Sequence, residues 1–207
     1  MPSNRTISVN SDIYKFTNKK YSIQYQPFYR LLTVVNSAVL KFRKPWLLKY
    51  VVYLPTDTDN ISSAIAELQR IYTSDGRPAL YFHWSKEYKL DSTHNGLHWH
   101  LVLIGEARDW DSREYNVKSK VDQCLHTLLE RGYINNFSHS APKTVNARGL
   151  RGTVADPEGC ADLLDWLSYD CKAETKDGLG GRLYGCSRVP VGTAPLAVPA
   201  LQQQLAA

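Results

Sequence analysis

The chain contains no apolar run approaching the roughly 18 residues that a membrane-spanning helix requires, and residues 1–20 hold no apolar stretch of the kind that forms the core of a secretion signal. Together these absences lead to the expectation of a cytoplasmic protein that does not contact a membrane. There is no CxxC pair among the four cysteines, Cys124, Cys160, Cys171 and Cys186. A zinc knuckle or a disulfide framework is therefore not the organising principle, and reduced thiols are expected. No internal repeat is found, and no GxxxxGK[ST] segment, so a P-loop nucleotide site is excluded.

What is present fits a single globular domain. The 207 residues suffice for a sizeable core, and 43% of them are hydrophobic, too many for a disordered chain. The net charge of +5 is unevenly spread. Residues 1–50 hold nine Lys/Arg and one acidic residue, Asp12, whereas residues 51–140 hold nine basic and twelve acidic residues. A basic first quarter beside a mildly acidic middle suggests a segment that contacts a polyanion, next to a site able to attract a cation.

Periodicity predicts a helix over 27–43 from Phe28, Leu31, Leu32, Val35, Val39 and Phe42, and a second over 60–72 from Ile61, Ala64, Ile65, Leu68 and Ile71. The run YVVYL at 50–54 reads as a strand. So do 80–88 and 97–104, joined as a hairpin through DSTHNG at 91–96. A third helix is predicted over 115–131 with Gly132 as its stop, and a fourth from Pro157, capped by Asp156, to about Ala173. Short strands and loops are expected between them. The order fits an α+β fold, a central antiparallel sheet flanked by helices. The expected organisation is a basic arm over 1–24, one domain over 25–188 and a disordered tail over 189–207.

The sharpest local signal is Leu97-His98-Trp99-His100-Leu101. Side chains alternate across a strand, so His98 and His100 share one face while Trp99 and Leu101 enter a core. Two imidazoles on a rigid strand are a good pair of ligands for a divalent metal. If the hairpin pairs in register, Glu87 falls beside His98 and supplies a carboxylate; His83, Asp91 and His94 are the alternatives for the third position.

Stepping about 100 degrees per residue along the fourth helix puts Cys160, Leu164, Leu167 and Cys171 on one buried face. Tyr169 then lies opposite, with Lys172 and Lys176 on its side. A tyrosine there is available as a nucleophile. With a phenol pKa near 10, it needs a polarised phosphate and a nearby cation to attack.

An HxH strand followed by a Tyr169-x-x-Lys172 helix resembles the motif order of HUH endonucleases, the superfamily of rolling-circle initiators, relaxases and some transposases. The similarity is greatest to the replication initiator-like family of filamentous phages, in which a Glu precedes the HxH strand and an Arg-x-aromatic-Gly-x-Ser-Arg stretch follows the YxxK helix. Here those are Glu87, His98/His100, Tyr169/Lys172 and the segment from Arg182 to Arg188. The match spans roughly residues 25–190. The resemblance implies an HUH fold with an RRM-like, ferredoxin-like core and Mg²⁺ or Mn²⁺ at His98, His100 and Glu87. It also implies Tyr169 as the nucleophile, forming a covalent 5′-phosphotyrosine, with Lys172 as the cation near the scissile phosphate. The implied partner is single-stranded DNA from an origin or an element end, in a bacterial host cytoplasm.

The chain also departs from the pattern of the family it resembles. Positions 165 and 173 are Asp and Ala, so no second tyrosine lies four residues from Tyr169. The expectation is a single-tyrosine enzyme, a monomer or weak dimer, that depends on a host helicase for unwinding. DNA contacts are expected from Lys41, Arg43, Lys44, Lys49, Lys176, Arg182 and Arg188, with Lys15, Lys19 and Lys20 adding to the basic surface. Tyr21, Tyr25, Tyr29 and Trp46 are candidates to stack on bases, whereas Phe28 belongs to a core. A histidine-triad hydrolase is disfavoured because position 102 is Val, and an amidohydrolase because its barrel needs a longer chain. The alternatives to a phage initiator are a relaxase or transposase with the same chemistry, and a non-catalytic DNA-binding replication regulator.

Overall fold

The computed structural model describes residues 5–9, 12–16, 23–58, 60–90, 95–107, 114–139, 145–146, 166–172, 176 and 179–191. Its centre is an antiparallel sheet built from β3 (Pro45–Tyr53), β4 (Tyr81–Leu90), β5 (Asn95–Glu106), β6 (Asn136–His139) and β8 (Tyr184–Cys186) in the spatial order β6-β3-β5-β4-β8. The two-residue β7 (Val145–Asn146) adds to β3. Three helices pack on this sheet: α1 (Tyr25–Lys41), α2 (Ser62–Thr73) and α3 (Glu114–Glu130). The fold is thus α+β, as the sequence pattern predicts. Among the described residues, no helix is long and apolar enough to cross a membrane.

The two faces of the sheet carry different loads. On one face Leu48, Tyr50 and Val52 of β3, Trp84 of β4 and Trp99, Leu101 and Leu103 of β5 pack against α2 and α3. On the other, Leu47, Tyr81, Val102 and Ile104 pack against Phe28, Leu31, Leu32, Val35 and Val39 of α1. Each side chain buried this way stabilises the fold by about 1.5–3 kcal/mol. The α1 face changes character along its length. It is apolar near Ile104 and polar near His98, because the register places Glu87 opposite His98 and Ser85 opposite His100.

The helices end where local chemistry stops them. The side-chain oxygen of Asn60 accepts from the amide of Ser62 at 2.9 Å and satisfies one of the free donors at the start of α2. At the end of α3, Gly132 takes φ +72°, and the next amide, of Tyr133, donates back to the carbonyl of Leu128 at 2.9 Å. This is the left-handed glycine termination that the sequence signalled.

Several segments differ from the sequence reading. The arm over 1–24 contains a two-stranded antiparallel ribbon, β1 (Arg5–Val9) with β2 (Asp12–Phe16), forming its own sheet. Its β-branched and aromatic residues are spread among polar ones, which hid the pattern. Strand β3 starts at Pro45, five residues earlier than read, since a proline is tolerated at the first position of a strand. Lys49 broke the apolar run there, yet it is buried. The expected start of the fourth helix lies outside the described residues. Its end is a helical turn over 166–168 that tightens to a 3-10 turn, Tyr169–Cys171, after which Lys172 is extended. The backbone there leaves the helix because the preceding chain captures it. Lys172 bridges to Ile23, and the amide of Gln24 donates to the carbonyl of Cys171 at 2.8 Å. Of the expected tail, Val189 packs on the α1 core and residues 192–207 lie outside the described residues. Cys124, Cys171 and Cys186 are free thiols.

Gly105 lies where Val117 of α3 and Tyr72 of α2 press closely on the sheet. A Cβ built there would sit 2.7 Å from Val117 Cγ1 and 2.8 Å from the Tyr72 hydroxyl. Gly105→Ala is expected to destabilise the fold by about 1–3 kcal/mol through overpacking, measured by chemical denaturation. An unchanged midpoint would show that α3 can step back freely.

Candidate metal centre and nucleophile

Three side chains of the β4–β5 hairpin converge on the α1 face. Glu87, His98 and His100 are all buried, and one ligand atom from each lies within 4.8 Å of the others. The hairpin register brings Glu87 to this position. His83, an alternative third ligand, shares the face but stands two rows away, opposite Val102. Neither of its ring nitrogens has a hydrogen-bond partner among the described residues, and burial first, then the charges of Lys176, Lys49 and Arg30, push its pKa down to about 3. Asp91 and His94 lie outside the described residues.

The donor set suits a metal in its details. His98 Nδ1 lies 3.0 Å from the carbonyl oxygen of Gly96. A carbonyl can only accept, so Nδ1 carries the proton and Nε2 keeps its lone pair for a cation. Gly96 itself has φ +87°, a conformation that favours glycine. His100 turns Nε2 toward Glu87, 3.3 Å from Oε2. Two imidazoles and a carboxylate are a donor set that could hold a divalent metal ion.

Lysines surround the carboxylate. Lys176 Nζ donates to Glu87 Oε1 at 2.8 Å, and Lys172 Nζ lies 2.9 Å from Oε2. Burial alone would raise the Glu87 pKa. The hydrogen bond and charge of His100, and the charges of Lys176 and Lys172, outweigh it and hold the group well below the usual carboxylate range. Burial pulls Lys172 the other way, but Glu87 and a hydrogen bond with Tyr169 leave its pKa raised.

The 3-10 turn delivers Tyr169 to this cluster. Its ring meets His100 edge-on at 5.6 Å between centroids, and Lys172 Nζ stands 3.7 Å from the ring centroid. The next residue, Asp170, is fully buried. Its Oδ2 lies 2.9 Å from Lys49 Nζ, and its Oδ1 lies 3.6 Å from His100 Nδ1. Lys49 also donates to the carbonyl of Trp166 at 2.8 Å. The described groups of this pocket therefore set three ammoniums against two carboxylates. One net positive charge suits a phosphodiester. Beyond His98, whose ring is 5.8 Å from that of Tyr53, a cleft of about 570 Å³ opens between Tyr53, Thr56, Leu97, Asn136 and Ser138.

The expected sites thus fall into two groups. Glu87, His98, His100, Tyr169, Lys172 and Lys176 come together in one place. Lys49 and Lys176, expected on a DNA-facing surface, are instead buried against Asp170 and Glu87, because each neutralises a carboxylate that has no water to do so. Lys41, Arg43, Arg182 and Arg188 are exposed and Lys44 is half-buried; none is among the described residues of the cluster. Of the stacking candidates, Tyr29 and Trp46 pack partly into the two cores, and Phe28 is fully buried. Tyr21 lies outside the described residues. The sequence reading did not single out Asp170, whose partners come from β3 and β5 and leave no local signature.

No protein-family model matches this chain, and no curated protein matches its sequence.

Two ammoniums on Glu87 oppose any added cation. Lys176→Gln should therefore tighten Mn²⁺ binding to the free protein by roughly tenfold, whereas His98→Ala should weaken it by about ten- to a hundredfold. Isothermal titration calorimetry measures both. Unchanged affinity in His98→Ala would mean that the three residues do not hold the ion.

Proposed function

We propose that this chain is a metal-dependent endonuclease of the HUH type that nicks and rejoins single-stranded DNA through Tyr169. The observation that carries this reading is the position of the Tyr169 ring, edge-on to His100 of the Glu87–His98–His100 group and under the ammonium of Lys172. A tyrosine beside a pair of imidazoles and a carboxylate is the arrangement that phosphodiester transfer to a phenol needs.

In this reading Glu87, His98 and His100 hold Mg²⁺ or Mn²⁺. The ion would polarise the scissile phosphate and lower the cost of charge developing on its oxygens. The phenol oxygen of Tyr169 attacks phosphorus and gives up its proton as the P–O3′ bond breaks. The departing 3′ oxygen gains a proton and leaves as a 3′-hydroxyl. The phosphate stays joined to Tyr169 as a 5′-phosphotyrosine. Lys172, next to the ring, stabilises the phenolate character of the attacking oxygen and, in reverse, of the leaving one. Attack by a 3′-hydroxyl on the phosphotyrosine restores the DNA backbone and frees the tyrosine. The net positive pocket binds the phosphate, and the exposed Lys41, Arg43, Arg182 and Arg188 would guide the strand. The biological role this suits best is initiation of rolling-circle replication of a phage or mobile element, with a separate helicase opening the duplex. Relaxase and transposase roles share the chemistry.

Incubation with labelled single-stranded DNAs from the surrounding genome and Mn²⁺ should yield a covalent adduct on a denaturing gel. EDTA should abolish it. Tyr169→Phe should lose the adduct entirely and still bind DNA, and Lys172→Ala should slow its formation by about 10²–10³-fold. An adduct that survives in Tyr169→Phe would rule out this nucleophile.

A further inference from the structure

His100 has two ring nitrogens, and only one can face a metal held with Glu87 and His98. Nε2 does so, 3.3 Å from Glu87 Oε2. The other, Nδ1, is buried with no hydrogen-bond partner among the described residues. The atom opposite it, Asp170 Oδ1, is also buried without one, 3.6 Å away. That separation is longer than a hydrogen bond. Yet each atom is the other's available complement, in a place where an unmet polar group is costly. Asp170 is not free to look elsewhere. Lys49 holds its Oδ2 at 2.9 Å, and Lys49 is itself anchored on the carbonyl of Trp166, one turn earlier in the same segment.

We propose that Asp170 is a positioning residue for the metal centre: its carboxylate accepts a hydrogen bond from the Nδ1–H of His100, fixing the ring and the tautomer that turns Nε2 to the ion. Site hydrogen bonds of this kind are often long in the free protein and close when the ligand binds. A carboxylate behind a ligating imidazole raises its basicity and holds its orientation. Here the carboxylate follows the nucleophile directly in sequence. One 3-10 turn therefore presents Tyr169 to the phosphate and steadies the imidazole against which its ring rests. Lys49 completes the device by keeping the second oxygen of Asp170 occupied. The inference rests on the metal-centre reading of Glu87, His98 and His100, and does not depend on Tyr169 acting as a nucleophile.

Two variants test it. Asp170→Ala removes the acceptor but strands Lys49 in the interior. The double variant Lys49→Met/Asp170→Leu removes both charges and fills the space with apolar groups, a replacement that buried ion pairs commonly tolerate. Mn²⁺ affinity is measured by calorimetry on the full chain, with circular dichroism confirming the fold. The Zn²⁺-loaded protein is examined by ¹H–¹⁵N correlation of its histidine rings. Mn²⁺ binding should weaken by about ten- to a hundredfold in each folded variant. A slowly exchanging His100 Nδ1–H in the parent should become fast-exchanging. Parental Mn²⁺ affinity in a folded variant, or an Nδ1–H equally protected without Asp170, overturns the proposal, as does a parent protein that binds no Mn²⁺ at all. If the nuclease reading alone is wrong, the Tyr169 adduct fails to form while these metal and exchange effects persist.

Discussion

A single buried carboxylate organises this molecule's polar interior. Glu87 has no exposed surface and lies at the polar end of a sheet face otherwise filled with hydrocarbon. An uncompensated charge in such a place is untenable, and removing one partner of a buried pair typically costs about 3–5 kcal/mol. Everything around Glu87 follows from that constraint. Two ammoniums, reaching in from beyond the 3-10 turn, take its oxygens, and an imidazole from the neighbouring strand takes a third approach. Those contacts tie the segment just after Tyr169 to the sheet.

The same constraint explains why the cluster is both structural and chemical. A metal ion would enter a space where lysines already balance the carboxylate. Lys49, Lys172 and Lys176 bring three ammoniums to the two carboxylates Glu87 and Asp170. In the proposed reaction a phosphodiester would bring the balancing negative charge. The ammoniums that stabilise the free protein would then be the groups that meet it, moving from carboxylate to phosphate with little reorganisation. Preorganised charge of this kind is the largest single contributor to many transfer reactions.

The parts of this arrangement that depend on neighbours along the chain were legible in the sequence. Alternation across β5 put His98 and His100 on one face, and a hairpin in register put Glu87 beside His98, although the sequence left His83, Asp91 and His94 open for the third position; the pairing of Glu87 with His98, and of His83 with Val102, is seen in the structure. The periodicity of α1, α2 and α3 and the stop at Gly132 were equally plain. What the sequence hid depends on distant partners. Lys49 interrupts an apolar strand and reads as surface, because nothing nearby reveals the Asp170 carboxylate that it meets 121 positions later. Lys172 and Lys176 continue a helical spacing, so a wheel drawn on them keeps them on an outer face. The bridge from Lys172 to Ile23 ends that helix, and no local signal announces it. Asp170 was overlooked for the same reason.

That bridge also joins two distant stretches of chain into one mechanical part. The residues just before α1 are hydrogen-bonded to the residues just after Tyr169, through Gln24 to Cys171 and Ile23 to Lys172. Helix α1 buries Phe28, Leu31, Leu32 and Val35 completely, so the turn that carries Tyr169 is tied to a helix anchored in the core. A load pulling on Tyr169, such as a tethered strand under tension, would be borne by the anchorage of α1 in the core and shared across the sheet.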